Sequence, residues 1–429
     1  MIKKISIAAL LLIIAAVVSV NVWHADAFIF KKNVQKYTAL NIHQNSGWKR
    51  KVLVVMEAFA TYLPSYPTIS EDEISNVFER DYNTQHSKVG DQKFVTNVAE
   101  LKEAVARAIP GDVIVLADGE YELKGKAFNL GNSEYLLDSD LPIIITSQNF
   151  RQSKIKVKSS VGIQITHKNW TLSDLVFEGA CDSDARCEHA LHIFGDADNL
   201  KILGNDFVNF NAAIKSNGQN SAVDNKRHFP DKVLIQGNRF YNEWPRETKA
   251  PVTPIDVVGG EYWTITNNFI ADFSRKYGRK SSYTYGAFLK GDSKHGVFES
   301  NFIACKWQVP YFSAIDHRIG LSFGGGGTGD RFCASGVCEQ EHRDGKISNN
   351  VIANCSNSAS IYVNDGNEIE ISNNVLIDST GIELSKSKEI NVMGNLLNGK
   401  LRKRHDSSSV FEQENQFFRG NISHAGYSQ

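Results

Sequence analysis

The sequence predicts an all-β chain: a right-handed parallel β-helix with an N-terminal capping helix and a small helical N-terminal extension. Three observations carry this. Short alternating strings, each with an asparagine turn and a closing large apolar residue, recur along the chain. They are LKILGNDF ending at Phe207, VLIQGNRF at Phe240, WTITNNFI at Ile270, GVFESNFI at Ile303, GKISNNVI at Ile352, IEISNNVL at Leu376 and INVMGNLL at Leu397. Their spacing of about 20 to 50 residues is that of solenoid repeats, and the alternation inside each has the period of a strand. An amphipathic segment, NVAELKEAVARAIPGD, stands just ahead of the first strand. Finally, a hydrophobic content of 41% is ample for a core and argues against wholesale disorder.

The elements follow in chain order. Lys3 and Lys4 precede an apolar run from Ile5 to Val20, and Ala25 and Ala27 form an A-x-A arrangement. Residues 1–27 therefore read as a secretory signal peptide cut after Ala27, the alternative being an uncleaved membrane anchor. Residues 28–92 read as a helical extension, with Ser70 and the acidic residues after it marking a helix start. Asn97 is the expected N-cap of the capping helix, with Glu100 completing a capping-box-like start and Pro110-Gly111 ending it. The β-helix is expected over 93–400 and a C-terminal tail over 401–429, which opens on the basic run KLRKRH. The repeated asparagines belong at turns, where asparagine tolerates left-handed geometry and can bond its neighbour in the stack.

A formal net charge of −1 over 429 residues lacks the basic excess of a nucleic-acid binder. Six cysteines fit an exported chain, periplasmic or secreted. Cys181 with Cys187 and Cys333 with Cys338 are expected as short-loop disulfides, while Cys305 and Cys355 are buried thiols or a third pair. No C-x-x-C spacing suggests a zinc site. The chain is read as a monomer.

Each repeat carries a second short strand, and alternation fixes which residues point out. Aligning LHIFG, IKSNG, IDVVG, LKGD, LSFGG, IYVND and IELSK places His192, Lys215, Asp256, Lys290, Ser322, Tyr362 and Glu383 in one outward column, about 4.8 Å apart. Four residues back from Ser322, Arg318 joins the same face. A regular strand turns His189 inward, so it is not part of the column. This cluster of cations suits an anionic polymer on a solenoid face. The plainer alternative is a solvated Lys–Asp–Lys charge ladder.

The segment ELKEAVARAIPGDVIVLADGEYEL, residues 100–123, resembles the opening of chondroitinase B-type and alginate lyases, polysaccharide lyase family 6. The resemblance continues weakly through PIIITSQNF and WTLSDLVFEG, over roughly residues 93–400. It implies a lysine base in a string like I-x-x-K-S followed by asparagine, and an arginine on an adjoining coil. AAIKSNGQN at Lys215 keeps the K-S and the asparagine, with Ala212 in place of the isoleucine; AFLKGDS at Lys290 matches less well. Asp256 stands where the arginine is expected after Lys215, and Arg318 is the approximate counterpart after Lys290. Calcium-using members carry two glutamates shortly before the lysine. Here those positions are Tyr283 and Tyr285, or Val208 and Phe210, so no cofactor is expected.

These residues point to an acidic polysaccharide as partner and to β-elimination as the favoured reaction. Elimination needs a base, a proton donor and a cation against the uronate carboxylate, with Lys215, Lys290 and Arg318 the catalytic candidates. His192, Asp256, Ser322, Tyr362, Tyr283 and Tyr285 are the substrate-binding candidates, the tyrosines as donors or sugar platforms. Hydrolysis would want two facing carboxylates, and Asp256 and Glu383 lie coils apart. A non-catalytic glycan-binding surface protein and a uronate epimerase are the alternatives. The glycine run FGGGGTG lacks the Lys-Ser/Thr of a phosphate loop and reads as a sharp loop off the coil.

Overall fold

The computed structural model describes residues 68–79, 92–131, 140–221, 224–276, 282–313, 315–356 and 358–418. The expected signal segment and most of the helical extension lie outside the described residues. The chain divides into two compact units, and everything below concerns the larger, residues 68–311 and 316–418.

Three long parallel sheets of 13, 10 and 11 strands run through this unit, and each turn of chain contributes a strand to each sheet in sequence. This is a right-handed parallel β-helix. The pairings continue past residue 400: Lys400–Arg404 pairs with Gly381–Ser385, and Gln416–Phe417 with Leu396–Leu397. The solenoid therefore extends to Phe417, beyond the tail boundary expected at 401. The basic run hid a strand because in this last coil Lys400, Lys403 and Arg404 stay exposed and Leu401 and Val410 are the residues that pack against the core.

The asparagines do what their spacing implies, with one division of labour. Asn205, Asn238, Asn268, Asn301, Asn350, Asn374, Asn395 and Asn415 form a buried ladder. Each of the first seven donates both its backbone N–H and its side-chain amide to the next rung's Oδ1 at 2.8–3.1 Å. The residue just before each rung takes the left-handed backbone: Gly204, Gly237, Asn267, Ser300, Asn349, Asn373, Gly394 and Glu414. In the NN strings the first asparagine turns the chain and the second joins the ladder. Asn301→Ala strands the Asn268 N–H and the Ile265 carbonyl in the interior. With about 1–3 kcal/mol for each of these two groups, chemical unfolding should show a loss of about 2–6 kcal/mol.

The capping helix spans Val98–Ala106 and buries Leu101 and Val105 against the first coil. Asn97 accepts from the Glu100 N–H at 3.0 Å, but the Glu100 carboxylate reaches back to the Thr96 N–H at 2.7 Å, one residue before the cap. The described part of the extension is one helix, Glu71–Phe78, opened by a complete Ser70–Glu73 capping box. It seats Ile74 and Phe78 on the outer face of the 11-stranded sheet, with Phe78 against Trp307 at 4.7 Å between centroids.

Inside the coils, His342 lies flat on Phe323 at 3.9 Å, its Nδ1 bonded to Ser293 Oγ and its Nε2 accepting the Gly296 N–H. Burial holds its pKa down, from the ordinary 6.5 to about 3. The unfolded chain therefore takes up a proton that the fold refuses, and stability falls as pH drops from about 6.5 toward 3. His342→Phe should flatten this part of the acid-unfolding curve, measured as midpoint denaturant against pH. An unchanged slope would show that other groups set it.

Candidate active site

The 10-stranded sheet carries the candidate residues on its outer face. Its strands begin at the corner formed by loops 181–188 and 242–254, and end at the corner formed by the Gln219–His228 hairpin and loop 324–341. The observed register gives the column Gln164, His192, Lys215, Asp256, Phe288, Ser322, Tyr362, Glu383 and Arg402. Lys290 is not in it. Ala287, rather than Leu289, pairs with Ile255, so Phe288 stands beside Asp256 and Lys290 lies two residues further along the same face, paired with Val258. Leu289 does face the core.

His189, read as inward, faces out. The strand turns a corner at Ala190, so that Ala190 and Leu191 are both buried while His189 and His192 share the outer face, their rings 5.4 Å apart. The same step recurs at Gly286, where Tyr285 and Phe288 flank two small inward residues and meet edge to face at 5.4 Å. Small residues are required at this corner because neighbouring coils approach closely: a Cβ on Gly162, Gly286 or Gly320 would meet the next coil's carbonyl oxygen at 2.8, 2.7 or 2.5 Å.

Lys215 Nζ donates to Asp256 Oδ1 at 2.6 Å. His189 Nδ1 sits 2.8 Å from the Ala212 carbonyl, which can only accept, so Nδ1 carries the proton and Nε2 the lone pair. His192 Nε2 lies 2.8 Å from Asn217 Oδ1. The Asn217 amide nitrogen is turned to the Gly218 carbonyl, which sets the amide oxygen toward the ring, so His192 holds a bare Nδ1. Burial pushes His189 down to about 4. Burial also lowers His192, with the Lys215 charge adding to it and the Asn217 bond opposing. Both rings are therefore neutral at physiological pH. Lys290 is lowered as well, chiefly by burial, with Asp256 opposing and Lys215 reinforcing. Its Nζ donates to the Gly327 carbonyl at 3.1 Å and lies 4.7 Å over the Phe288 ring.

The glycine run is the loop that covers this end of the face. Gly324, Gly325 and Gly327 all take positive φ, and buried Glu341 anchors the loop by accepting from the Gly291 and Thr328 N–H groups. The Cys333–Cys338 disulfide closes the same loop, and Arg227 of the hairpin donates to the Arg331 carbonyl. On the opposite corner the Cys181–Cys187 disulfide brackets Asp184, which binds Arg246 at 2.9 Å and pins the Trp244 indole N–H, leaving that ring 44% exposed. Cys305 and Cys355 form a third disulfide. Three cross-links belong to a chain that folds in an oxidising, exported setting.

Three expected site residues are not available to a ligand as expected. Arg318 is wholly buried: its guanidinium donates to the Cys305, Val309 and Pro310 carbonyls and pairs with Asp316 at 2.7 Å. The corner at Gly320 shifts the alternation, so Ile319 shares the outer face with its partner Tyr285 while Arg318, paired with Thr284, points the opposite way into segment 305–310. Ser322 is buried and its Oγ accepts the Gly325 N–H. Tyr285 is buried against Phe288 and Ile319. Tyr283 is 48% exposed and lies flat against His317 at 4.7 Å; Tyr362 is half-buried with its hydroxyl toward Asn364. The residues do not fit calcium at the family's position: Tyr283, Tyr285, Val208 and Phe210 supply no carboxylate. Among the described residues no cluster of His, Cys, Asp and Glu could hold a metal, and no helix is long and apolar enough to cross a membrane.

Sequence reasoning missed His189, Asn217, Trp244 and Glu341. The first two had a signal, the small residue at each corner and the conjunction of K-S-N with a histidine one coil earlier. The last two are set by loops that only the fold brings together.

No family model matches the chain, and no curated protein matches it. Solved structures with a similar backbone path include the surface protein and adhesin PfbA of Streptococcus pneumoniae (11% identity, TM-score 0.48, covering 83% of this chain and 99% of that one). The alginate lyase from Paenibacillus sp. str. FPU-7 aligns at 12% identity and TM-score 0.38, over 76% of this chain and 99% of that one. The PL6 family polysaccharide lyase Pedsa3628 from Pseudopedobacter saltans aligns at 14% identity and TM-score 0.39, over 77% and 94%. At these values the likeness goes no further than the fold, which stands on the strand pairings above.

Proposed function

We propose that the protein is an exported enzyme that cleaves a uronate-containing glycan by β-elimination on the outer face of the 10-stranded sheet. The observation that carries this is one strip of four coils holding two lysines, two imidazoles and a carboxylate that orients one of the lysines. Elimination needs the proton next to the uronate carboxylate removed and the glycosidic oxygen protonated as it leaves. His192 Nδ1 is the base, since a neutral imidazole needs no prior deprotonation. Lys215, fixed by Asp256, neutralises the carboxylate as negative charge builds on it. Lys290 is the donor to the leaving oxygen, because burial has made its ammonium a stronger acid. Arg318, tied into the fold, has no part. Incubating the folded chain with a panel of acidic polysaccharides should give an unsaturated product absorbing in the ultraviolet.

The satisfied partners of Lys215 and Lys290 also fit a second reading, a glycan-binding surface protein without turnover. Retention of a polysaccharide with no new absorbance and no change of stereochemistry would favour that one; altered stereochemistry alone would indicate an epimerase.

Activity should be bell-shaped in pH. The acid limb reports protonation of His192, whose pKa is lowered by burial, so it should fall below the ordinary histidine value. The alkaline limb reports loss of the Lys290 proton, below the ordinary lysine value for the same cause. Lys290→Arg should move the alkaline limb up and leave the acid limb in place.

A further inference from the structure

The face divides sharply along the solenoid axis. From His192 to Lys290 it is charged and polar; from Phe288 onward it is aromatic. Phe288, Tyr285 and Ile319 form one buried apolar cluster, and the aromatic rings left accessible over it are half-buried Tyr362 and exposed Tyr283. The cation that the sequence offers here, Arg318, is turned into the fold. The next charge along the column is Glu383, already paired with Arg404 at 3.2 Å. Tyr283, beside this cluster, presents the free face of a ring immobilised on buried His317.

Parallel strands are spaced about 4.8 Å apart, so a glycan lying along the axis advances about one sugar per coil. A homopolymer of uronates would set a carboxylate at every step. The sugars beyond Lys290 would then set carboxylates against Tyr283 and Tyr362, on a stretch of the column, Phe288, Ser322 and Tyr362, that holds no cation before the Glu383–Arg404 pair. An uncharged sugar there instead offers its C–H face to an aromatic ring, a contact that the fixed ring of Tyr283 makes at little entropic cost.

We infer that the site takes a heteroglycan in which a uronate is followed, toward the C-terminal coils, by an uncharged sugar, and that it discriminates against homopolyuronates. This rests on the elimination reading above for the charged half of the face, and adds the aromatic half as a neutral-sugar subsite centred on Tyr283.

The test compares gellan and hyaluronan, where every uronate is flanked by uncharged sugars, against polygalacturonate and polymannuronate. Retardation in affinity electrophoresis and the initial rate of ultraviolet product are both read. The heteroglycans should be favoured by up to about tenfold, the scale of one good ring contact, and Tyr283→Ala should remove most of that preference without altering the unfolding midpoint. If binding occurs without product, the same preference is read from retardation alone. Homopolyuronates cleaved or retarded as well as the heteroglycans would overturn the inference and leave the elimination reading standing, as would an undiminished preference in a folded Tyr283→Ala. If no polymer of either class is bound or cleaved, both fall.

Discussion

Arg318→Ala is expected to lower stability by about 3–5 kcal/mol, the cost of leaving half of a buried ion pair. The guanidinium is fully enclosed, holds the carbonyls of Cys305, Val309 and Pro310 at 2.8 Å each, and lies 4.0 Å from a second buried carboxylate, Asp272. Removing it takes the countercharge from the buried carboxylates of Asp316 and Asp272 and frees the segment that the Cys305–Cys355 disulfide anchors. Arg318→Lys keeps the charge but loses the fork that spans three carbonyls, so it should fall between wild type and alanine. Denaturant unfolding of the three proteins checks this. A loss under about 1 kcal/mol for alanine, the exposed-pair scale, would mean the guanidinium is not the latch described. Any folded Arg318→Lys should retain turnover within a few-fold of wild type, which a catalytic arginine would not allow.

The second large effect is on rate. His192→Gln keeps a donor toward Asn217 and removes the bare ring nitrogen, so turnover should fall by about a hundredfold or more, the contribution of a positioned base. Its unfolding midpoint should stay close to wild type, because the ring is half-buried and makes one hydrogen bond. His189→Gln is the matched control. If the rate loss appears there and not at His192, the base is His189 Nε2, and the assignment moves one corner along the strand.

The solenoid was legible because its signals are local. Each repeat string contains its own alternation, its own turn and its own ladder asparagine, and the capping helix announces itself at Asn97. The face was less legible, and three residues show why. Lys290 was displaced by two positions because Ala287 and Leu289 both point inward, and nothing in AFLKG says which of them meets Ile255 on the neighbouring coil. His189 was lost because the period-two rule breaks where the chain turns a corner, and Ala190 marks that corner only when compared with Gly162, Gly286 and Gly320 in other coils. Arg318 was misplaced for the same reason: the corner at Gly320 turns Ile319 outward and Arg318, paired with Thr284, the opposite way, where the segment beginning 13 residues earlier at Cys305 receives it. Alternation gives a side chain's direction only as far as the next corner, and which coil residue it meets is set by a register that a single string does not carry.

The most direct measurement is the ultraviolet absorbance released from a uronate-containing glycan by wild type, Lys215→Met, Lys290→Met and the double variant, each first shown to be folded by circular dichroism. Wild type should release unsaturated product, and each single variant should fall by about a hundredfold or more. The double variant should fall little further, since the two lysines act on one transition state. Product released at the wild-type rate by the folded double variant would contradict the assignment of chemistry to this face.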